Sequence, residues 1–324
     1  MHFFGYNASS HELYLPLMFG TVKDVLVRPE KAKPNAKWLK NNEGELRAKA
    51  VRTALVALLR GLVELHNLGV AHRDIKHENL LVQIDPRDPR FGVLSVKISD
   101  LGYSLDIRKV AENQLINAQA RDELPGTPPF TSPELLQARI DRKNVVQTAI
   151  KYALSIETQA DKITSLKTLA RRNASKDKDQ KIGDWAAKAE LEKLIGSDTF
   201  KSAEFQAAVS AADAKYQQSL AIVQAAPEKL DVFSAALTAW MCFNPDVAEP
   251  DPELPTHKIV SDKERLNRLV KDGRPSLKVQ KDTIDQELFK KLVGAKFFQD
   301  AWHTDPAARS SVPELLNRLD AAMA

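Results

Sequence analysis

Asp74, Lys76 and Asn79 stand two and five positions apart in the run His72-Arg73-Asp74-Ile75-Lys76-His77-Glu78-Asn79, and Asp100-Leu101-Gly102 begins 21 positions after the asparagine. A carboxylate beside a hydroxyl can orient it and take its proton. An amide oxygen and a second carboxylate are hard ligands that suit Mg²⁺ or Mn²⁺. A lysine two residues after the first carboxylate adds a point charge for an anionic group. Phosphoryl transfer asks a protein for this combination, because it needs positioning and charge stabilisation and little covalent chemistry. A lone His-Arg-Asp triplet arises by chance. The ordered run through Leu80-Leu81-Val82 and on to Lys97-Ile98-Ser99-Asp100 fixes too many positions for that.

Positioning these residues falls to the elements around them. Leu46, Ala50, Ala54, Leu55, Leu58, Leu62, Val63 and Leu65 recur at threes and fours, which predicts an amphipathic helix over 45–67 with Gly69 as its C-cap. Leu80–Val82 and Val93–Ile98 read as strands around the turn-rich stretch from Asp85 to Arg90. Residues 1–22 read as two short strands and a linker, with Pro16 near the end of the second. From 138 to 226 glycine occurs only at 183 and 196, and apolar residues keep helical spacing. Three or four helices are expected there, in a hairpin or small bundle, with Asn173–Lys181 as the turn-like piece. An apolar helix over 228–243 follows, then a proline-rich loop over Asn244–Thr256. Two or three further helices come next, ending in Val312–Met323 with Ser311 as N-cap and Pro313 in the first turn.

Composition excludes several classes. The chain has 324 residues, 43% hydrophobic and 28% charged, with a net charge of +4 and a pI near 8.9. That mild basicity is compatible with binding a polyphosphate and too weak to argue for nucleic acid, so no nucleic-acid partner is expected. No run of 18 apolar residues exists, so no membrane span is expected, and the N-terminus lacks the pattern of a Sec-type signal. The single cysteine, Cys242, lies in an apolar context and fits a buried thiol in a reducing compartment. A cytoplasmic location is expected, and delivery into a host cell fits the same features.

The motif resembles the catalytic loop of the eukaryotic-type protein kinase superfamily, H-R-D-x-x-x-x-N, and Asp100-Leu101-Gly102 resembles its D-F-G. Gly126-Thr127-Pro128-Pro129-Phe130-Thr131-Ser132-Pro133-Glu134 is similar to the segment that closes the family's activation loop. Asp231-Val232-Phe233-Ser234 is similar to the start of its buried central helix, and Trp302 to Arg309 to the end of its large lobe. The resemblance covers residues 10–137 and 228–323 and implies a mainly α (α+β) kinase-like large lobe. It implies four segments: 1–22, a remnant of small-lobe strands and hinge; 23–137, the first part of the large lobe, with catalytic loop and activation segment; 138–227, a helical insertion; and 228–324, the second part. It also implies a protein kinase of serine/threonine type using ATP and Mg²⁺ (or Mn²⁺), with a protein as substrate. Asp74 would be the base, Lys76 would reach the transferred phosphate, Asn79 and Asp100 would hold the metal, and Arg73 would sense a phosphorylated activation loop. Candidate sites for that phosphate are Ser104, Thr127, Thr131 and Ser132, with Thr127 better explained as a contact to Asp74 and Lys76. Leu81 would lie under the adenine, with Leu17, Met18 and Phe19 at the hinge. Glu134 and Arg309 would form a buried ion pair, Asp231 would brace the catalytic loop, and His72 and Gly102 would be structural.

Three departures from the family bear on function. From Glu134 to Asp231 the chain spans 97 residues, far more than the family needs. The extra helices form an insertion beside the substrate face that either recruits a protein partner or is inert. Leu101 replaces Phe, a change expected to fill the same apolar slot. The glycines before Asp74 are Gly5, Gly20, Gly44, Gly61 and Gly69, so no G-x-G-x-x-G precedes the loop, and no lysine stands where the family holds ATP. The expectation is a lobe with little or no small lobe, whether truncated, completed by a partner or a relic. Beside the kinase stand two other readings: a non-catalytic scaffold that presents the insertion to a partner, and an enzyme acting on a small molecule.

Overall fold

The computed structural model describes residues 5–7, 12–14, 18–27, 44–84, 93–108, 124–155, 203–245, 261–275, 277, 279 and 283–324. Leu17, the turn at Asn173–Lys181 and most of the proline-rich loop lie outside them. The chain divides into two compact units, residues 1–135 with 224–324, and residues 136–223. The described residues are rich in helix with few strands.

In the first unit β1 (Gly5–Asn7) pairs antiparallel with β2 (Glu12–Tyr14). A third short strand, β3 (Gly20–Thr21), which the sequence pattern does not announce, runs antiparallel to β5 (Leu80–Ile84), with Thr21 opposite Leu81. β5 pairs in turn with β6 (Val93–Ile98), with a register irregularity at Gln83/Ile84. A five-residue π-turn, Lys23–Val27, follows β3, and its Val25 and Leu26 are buried.

Helix α1 (Glu45–Asn67) occupies the stretch its periodicity predicts. It buries Ala50, Val51, Ala54, Leu55, Leu58, Leu59 and Leu62, one stripe of the helix. Gly61 sits where α1 meets β6, and a Cβ there would stand 2.9 Å from Ile98 Cδ1, so a larger residue would require the end of the Ile98 side chain to shift. Gly69 ends the helix at φ +75° with its N–H on the His66 carbonyl. The chain then enters β4 (Val70–Ala71), which pairs with β7 (Leu105–Asp106) and brings the two chemistry-bearing loops together at their bases.

Helix α2 (Pro133–Ser155) leaves this unit, and α3 (Ala203–Ala225) returns to it. Helix α4 (Glu228–Phe243) is buried from Leu230 to Phe243 and forms the centre of the lobe. Around its far end Trp240, Phe243, Phe289, Phe298 and Trp302 pack with ring centroids 5.0–6.5 Å apart, mostly tilted or edge-to-face. These rings come from α4, α6 (Gln286–Gly294), α7 (Phe297–Ala301) and its C-cap Trp302, while α5 (Asp262–Asp272) lies between α4 and α6 in sequence. The last helix, α8 (Val312–Met323), opens with a capping box between Ser311 and Glu314.

In the second unit α3 buries Phe205, Val209, Tyr216, Leu220 and Val223, a stripe at helical spacing. The buried carboxylate of Asp141 accepts from Gln137 (2.7 Å) and from the Ser219 hydroxyl (2.6 Å), which ties α2 to α3 within that unit.

Candidate active site

The loop from His72 to Asn79 cannot be a regular element, since Arg73 stands at φ +67°, a conformation costly for a residue with a side chain. A buried carboxylate at the start of α4 holds it there. Asp231 accepts the backbone N–H of His72 and of Arg73, both at 2.7 Å, and the Nε2–H of His66 at 2.9 Å. Arg73 itself is buried and donates through Nε to the Tyr103 carbonyl at 2.6 Å.

Four donors converge on Asp74, which is 4% exposed. One carboxylate oxygen accepts from Thr127 N (3.0 Å) and Oγ1 (2.9 Å), the other from Lys76 Nζ (2.6 Å) and Asn79 Nδ2 (3.2 Å). Lys76 Nζ also donates to Thr127 Oγ1 at 2.8 Å, so Asp74, Lys76 and Thr127 form a closed cycle. Asn79 Nδ2 donates to the Asp74 carbonyl as well, at 2.9 Å. Its two hydrogen bonds orient the amide, and the side-chain oxygen remains as the acceptor a hard cation requires.

Asp100 lies in the left-handed region, φ +63° and ψ +67°, with its carboxylate accepting from Gly102 N at 3.4 Å. Gly102 is exposed, and a Cβ there would come within 3.2 Å of that carboxylate. The Asp100 side chain is exposed, so its oxygens can reach a ligand. Beside it Leu101 is 53% exposed and Tyr103 44%. This corrects the expectation that Leu101 fills an apolar slot: the short turn Leu101–Tyr103 points its side chains outward.

Next to Asn79 a second cluster sits on the loop. Glu78 takes Lys23 Nζ at 2.6 Å on one carboxylate oxygen, and His77 Nδ1 approaches the other at 2.7 Å with poor alignment. Burial pushes the Glu78 pKa up, but His77 and Lys23 outweigh it and hold the group at about 2. The contact joins the π-turn after β3 to the loop from His72 to Asn79, and no sequence signal separated Lys23 from other surface lysines.

At the β3–β5 edge Phe19 N donates to Val82 O at 2.9 Å and Thr21 stands opposite Leu81, and Met18, Phe19 and Leu81 are all partly exposed. Glu134 and Arg309, 175 positions apart, meet in a bidentate pair at 2.6 and 2.8 Å with side chains 4% and 0% exposed. Thr131 and Ser132 are 3% and 1% exposed and the Ser104 hydroxyl is buried, which removes these three from the accessible phosphate sites. The short turn Pro128–Phe130 carries Thr131 and Ser132 inward, with the Phe130 carbonyl accepting from the Ser234 hydroxyl on α4.

Comparison with known proteins addresses the same segments. Residues 18–156 match the family described as "Protein kinase domain". Over that stretch the chain is similar to the eukaryotic-type protein kinase superfamily. The chain is 42% identical over 80 residues to "Serine/threonine-protein kinase grp" of Drosophila melanogaster, a match covering 25% of this chain and 13% of that protein. It is 32% identical over 97 residues to "Probable serine/threonine-protein kinase 2" of Plasmodium falciparum, covering 30% and 16%. It is 35% identical over 96 residues to "Serine/threonine-protein kinase dkf-1" of Caenorhabditis elegans, covering 30% and 12%. The matches thus span at most about a sixth of these kinases' own lengths. Among the described residues no helix is long and apolar enough to cross a membrane.

Proposed function

We propose that this chain transfers the γ-phosphate of ATP to serine or threonine hydroxyls of a protein substrate. The arrangement of Asp74 carries the reading, because its carboxylate is fixed by Thr127, Lys76 and Asn79 directly after the two loop amides that Asp231 of α4 braces. Asp74 orients the acceptor hydroxyl and takes its proton. Lys76, already 2.6 Å from Asp74, lends positive charge where the phosphoryl group would pass. The side-chain oxygens of Asn79 and Asp100 suit Mg²⁺ or Mn²⁺ in donor type, and the bound metal-nucleotide supplies the phosphoryl group and neutralises its charge. Leu81, Met18 and Phe19, and Leu17 outside the described residues, would take the adenine. The alternative reading is a scaffold lobe that presents residues 138–227 to a protein partner. What favours it is that residues 136–223 form a compact unit with a buried stripe of their own.

Thermal shift with Mg²⁺-ATP and phosphate incorporation into a mixed-sequence protein substrate test the proposal, with Asp74→Asn and Asp100→Ala as controls. Saturation at a hundredfold excess over Kd should stabilise the chain by about 2.7 kcal/mol. Asp100→Ala should lose the metal-dependent part of that shift, and Asp74→Asn should keep binding and lose transfer. No nucleotide shift, together with incorporation no higher than in the controls, would reject the catalytic reading in favour of the scaffold.

A further inference from the structure

Ser99 has all three of its polar groups committed. Its N–H and its hydroxyl both donate to the main-chain oxygen of Asn79, at 2.9 and 3.0 Å, and its own carbonyl accepts from His72 Nε2 at 2.9 Å. Because Nε2 carries the proton in that bond, Nδ1 is left as an acceptor, and Asp74 N donates to it at 3.3 Å. Asn79 Nδ2 closes the circuit onto Asp74. The hydrogen bonds therefore run in a ring through Asp74, His72, Ser99 and Asn79. The proposed base and one proposed metal ligand are members of that ring, and the other proposed ligand, Asp100, is the next residue after Ser99.

Asp100 needs such an anchor. Its left-handed backbone costs a non-glycine residue on the order of 1 kcal/mol, and surrounding contacts must hold it. On its C-terminal side the Asp100 carboxylate accepts from Gly102 N. On its N-terminal side the peptide to Ser99 is fixed by the His72 bond, and Ser99 itself is fixed to Asn79 by two donors on one carbonyl oxygen. A backbone N–H alone lets the peptide rock about a single bond, whereas the added hydroxyl removes that freedom.

We infer that Ser99 is a positioning residue whose hydroxyl locks Asn79 and Asp100 into one arrangement, so that the two act on a divalent cation as a pair. The inference rests on the kinase reading above. Groups that orient metal ligands typically change affinity by about ten- to a hundredfold when removed.

The test titrates MgCl₂ into the full chain with ADP present and follows the thermal shift, and repeats the titration with Mn²⁺ by electron paramagnetic resonance. Ser99→Ala should raise the metal midpoint about tenfold. It should leave the melting temperature without ligand close to that of the unmodified chain, as well as any ADP shift in EDTA. Ser99→Thr, which keeps the hydroxyl, should restore the original midpoint. Equal midpoints for Ser99→Ala and the unmodified chain would overturn the inference while leaving the kinase reading intact. So would a deficit that Ser99→Thr does not repair, or one that persists in EDTA. Absence of any metal-dependent shift in the unmodified chain would reject both.

Discussion

Glu134→Gln isolates the buried ion pair with the least change of shape. Arg309 is 0% exposed and makes bonds of 2.8 and 2.6 Å to the Glu134 carboxylate. It also donates to the carbonyls of His303 (2.8 Å) and Lys229 (2.9 Å), and its guanidinium carbon lies 5.5 Å from the Phe233 ring centre. The amide of glutamine replaces one acceptor oxygen with a donor that faces N–H groups, and the guanidinium keeps its charge with no countercharge in a site closed to water. Breaking one partner of a buried pair costs about 3–5 kcal/mol. For a unit of this size that is roughly 6–20 °C in melting temperature. Urea titration followed by circular dichroism should show a lower midpoint with an unchanged slope. The double variant Glu134→Leu/Arg309→Met removes both charges and should recover more than half the loss. It should remain below the unmodified chain because the His303 and Lys229 carbonyls lose their donors, each at a cost of about 1 kcal/mol. A loss under about 1 kcal/mol for Glu134→Gln, or a double variant as unstable as the sum of the two single ones, would refute the argument.

Asp231→Asn leaves one acceptor oxygen for three donors, so the amides of His72 and Arg73 should lose hydrogen-exchange protection and stability should fall by about 2–4 kcal/mol; unchanged protection would count against the bracing role. The Cys242 thiol, pushed up to about 12 by burial, should resist Ellman's reagent at pH 8 in the native chain and react with one equivalent after denaturation, and rapid native labelling would contradict this. The Ser311 N–H and hydroxyl hold the Glu314 carboxylate below its ordinary pKa of 4.5. Its folded pKa being the lower one, this stabilising contribution is present above about pH 4.5 and is lost as the pH falls below it. Ser311→Ala should cost about 1 kcal/mol at pH 7 and less at pH 3, as read from paired urea titrations. An equal cost at both pH values would refute the linkage.

Much of the helical frame was legible because helices are written locally. The stripe from Ala50 to Leu62 and the cap at Ser311 each need only residues within a few turns, and α1, α4 and α8 lie where their spacing places them. The two-residue strand β3 was not legible, since Gly20–Thr21 has no periodicity and forms only because β5 offers it an edge. Leu101 misled for a related reason: its apolar character argues for burial, but the turn it occupies faces outward.

By itself the sequence determined which residues could do chemistry. His72 to Asn79 and Asp100 carry their identity in type, order and spacing, and those survive any folding question. Only the tertiary structure decided how they are wired. The Lys23–Glu78 contact, the four donors on Asp74 and the ring through Ser99 join residues from separate elements, and a hydrogen bond depends on tenths of an ångström and on angle rather than on distance along the chain. Ser99 reads in sequence as one small polar residue among many, and its three committed bonds exist only where β6 delivers it against the Asn79 carbonyl.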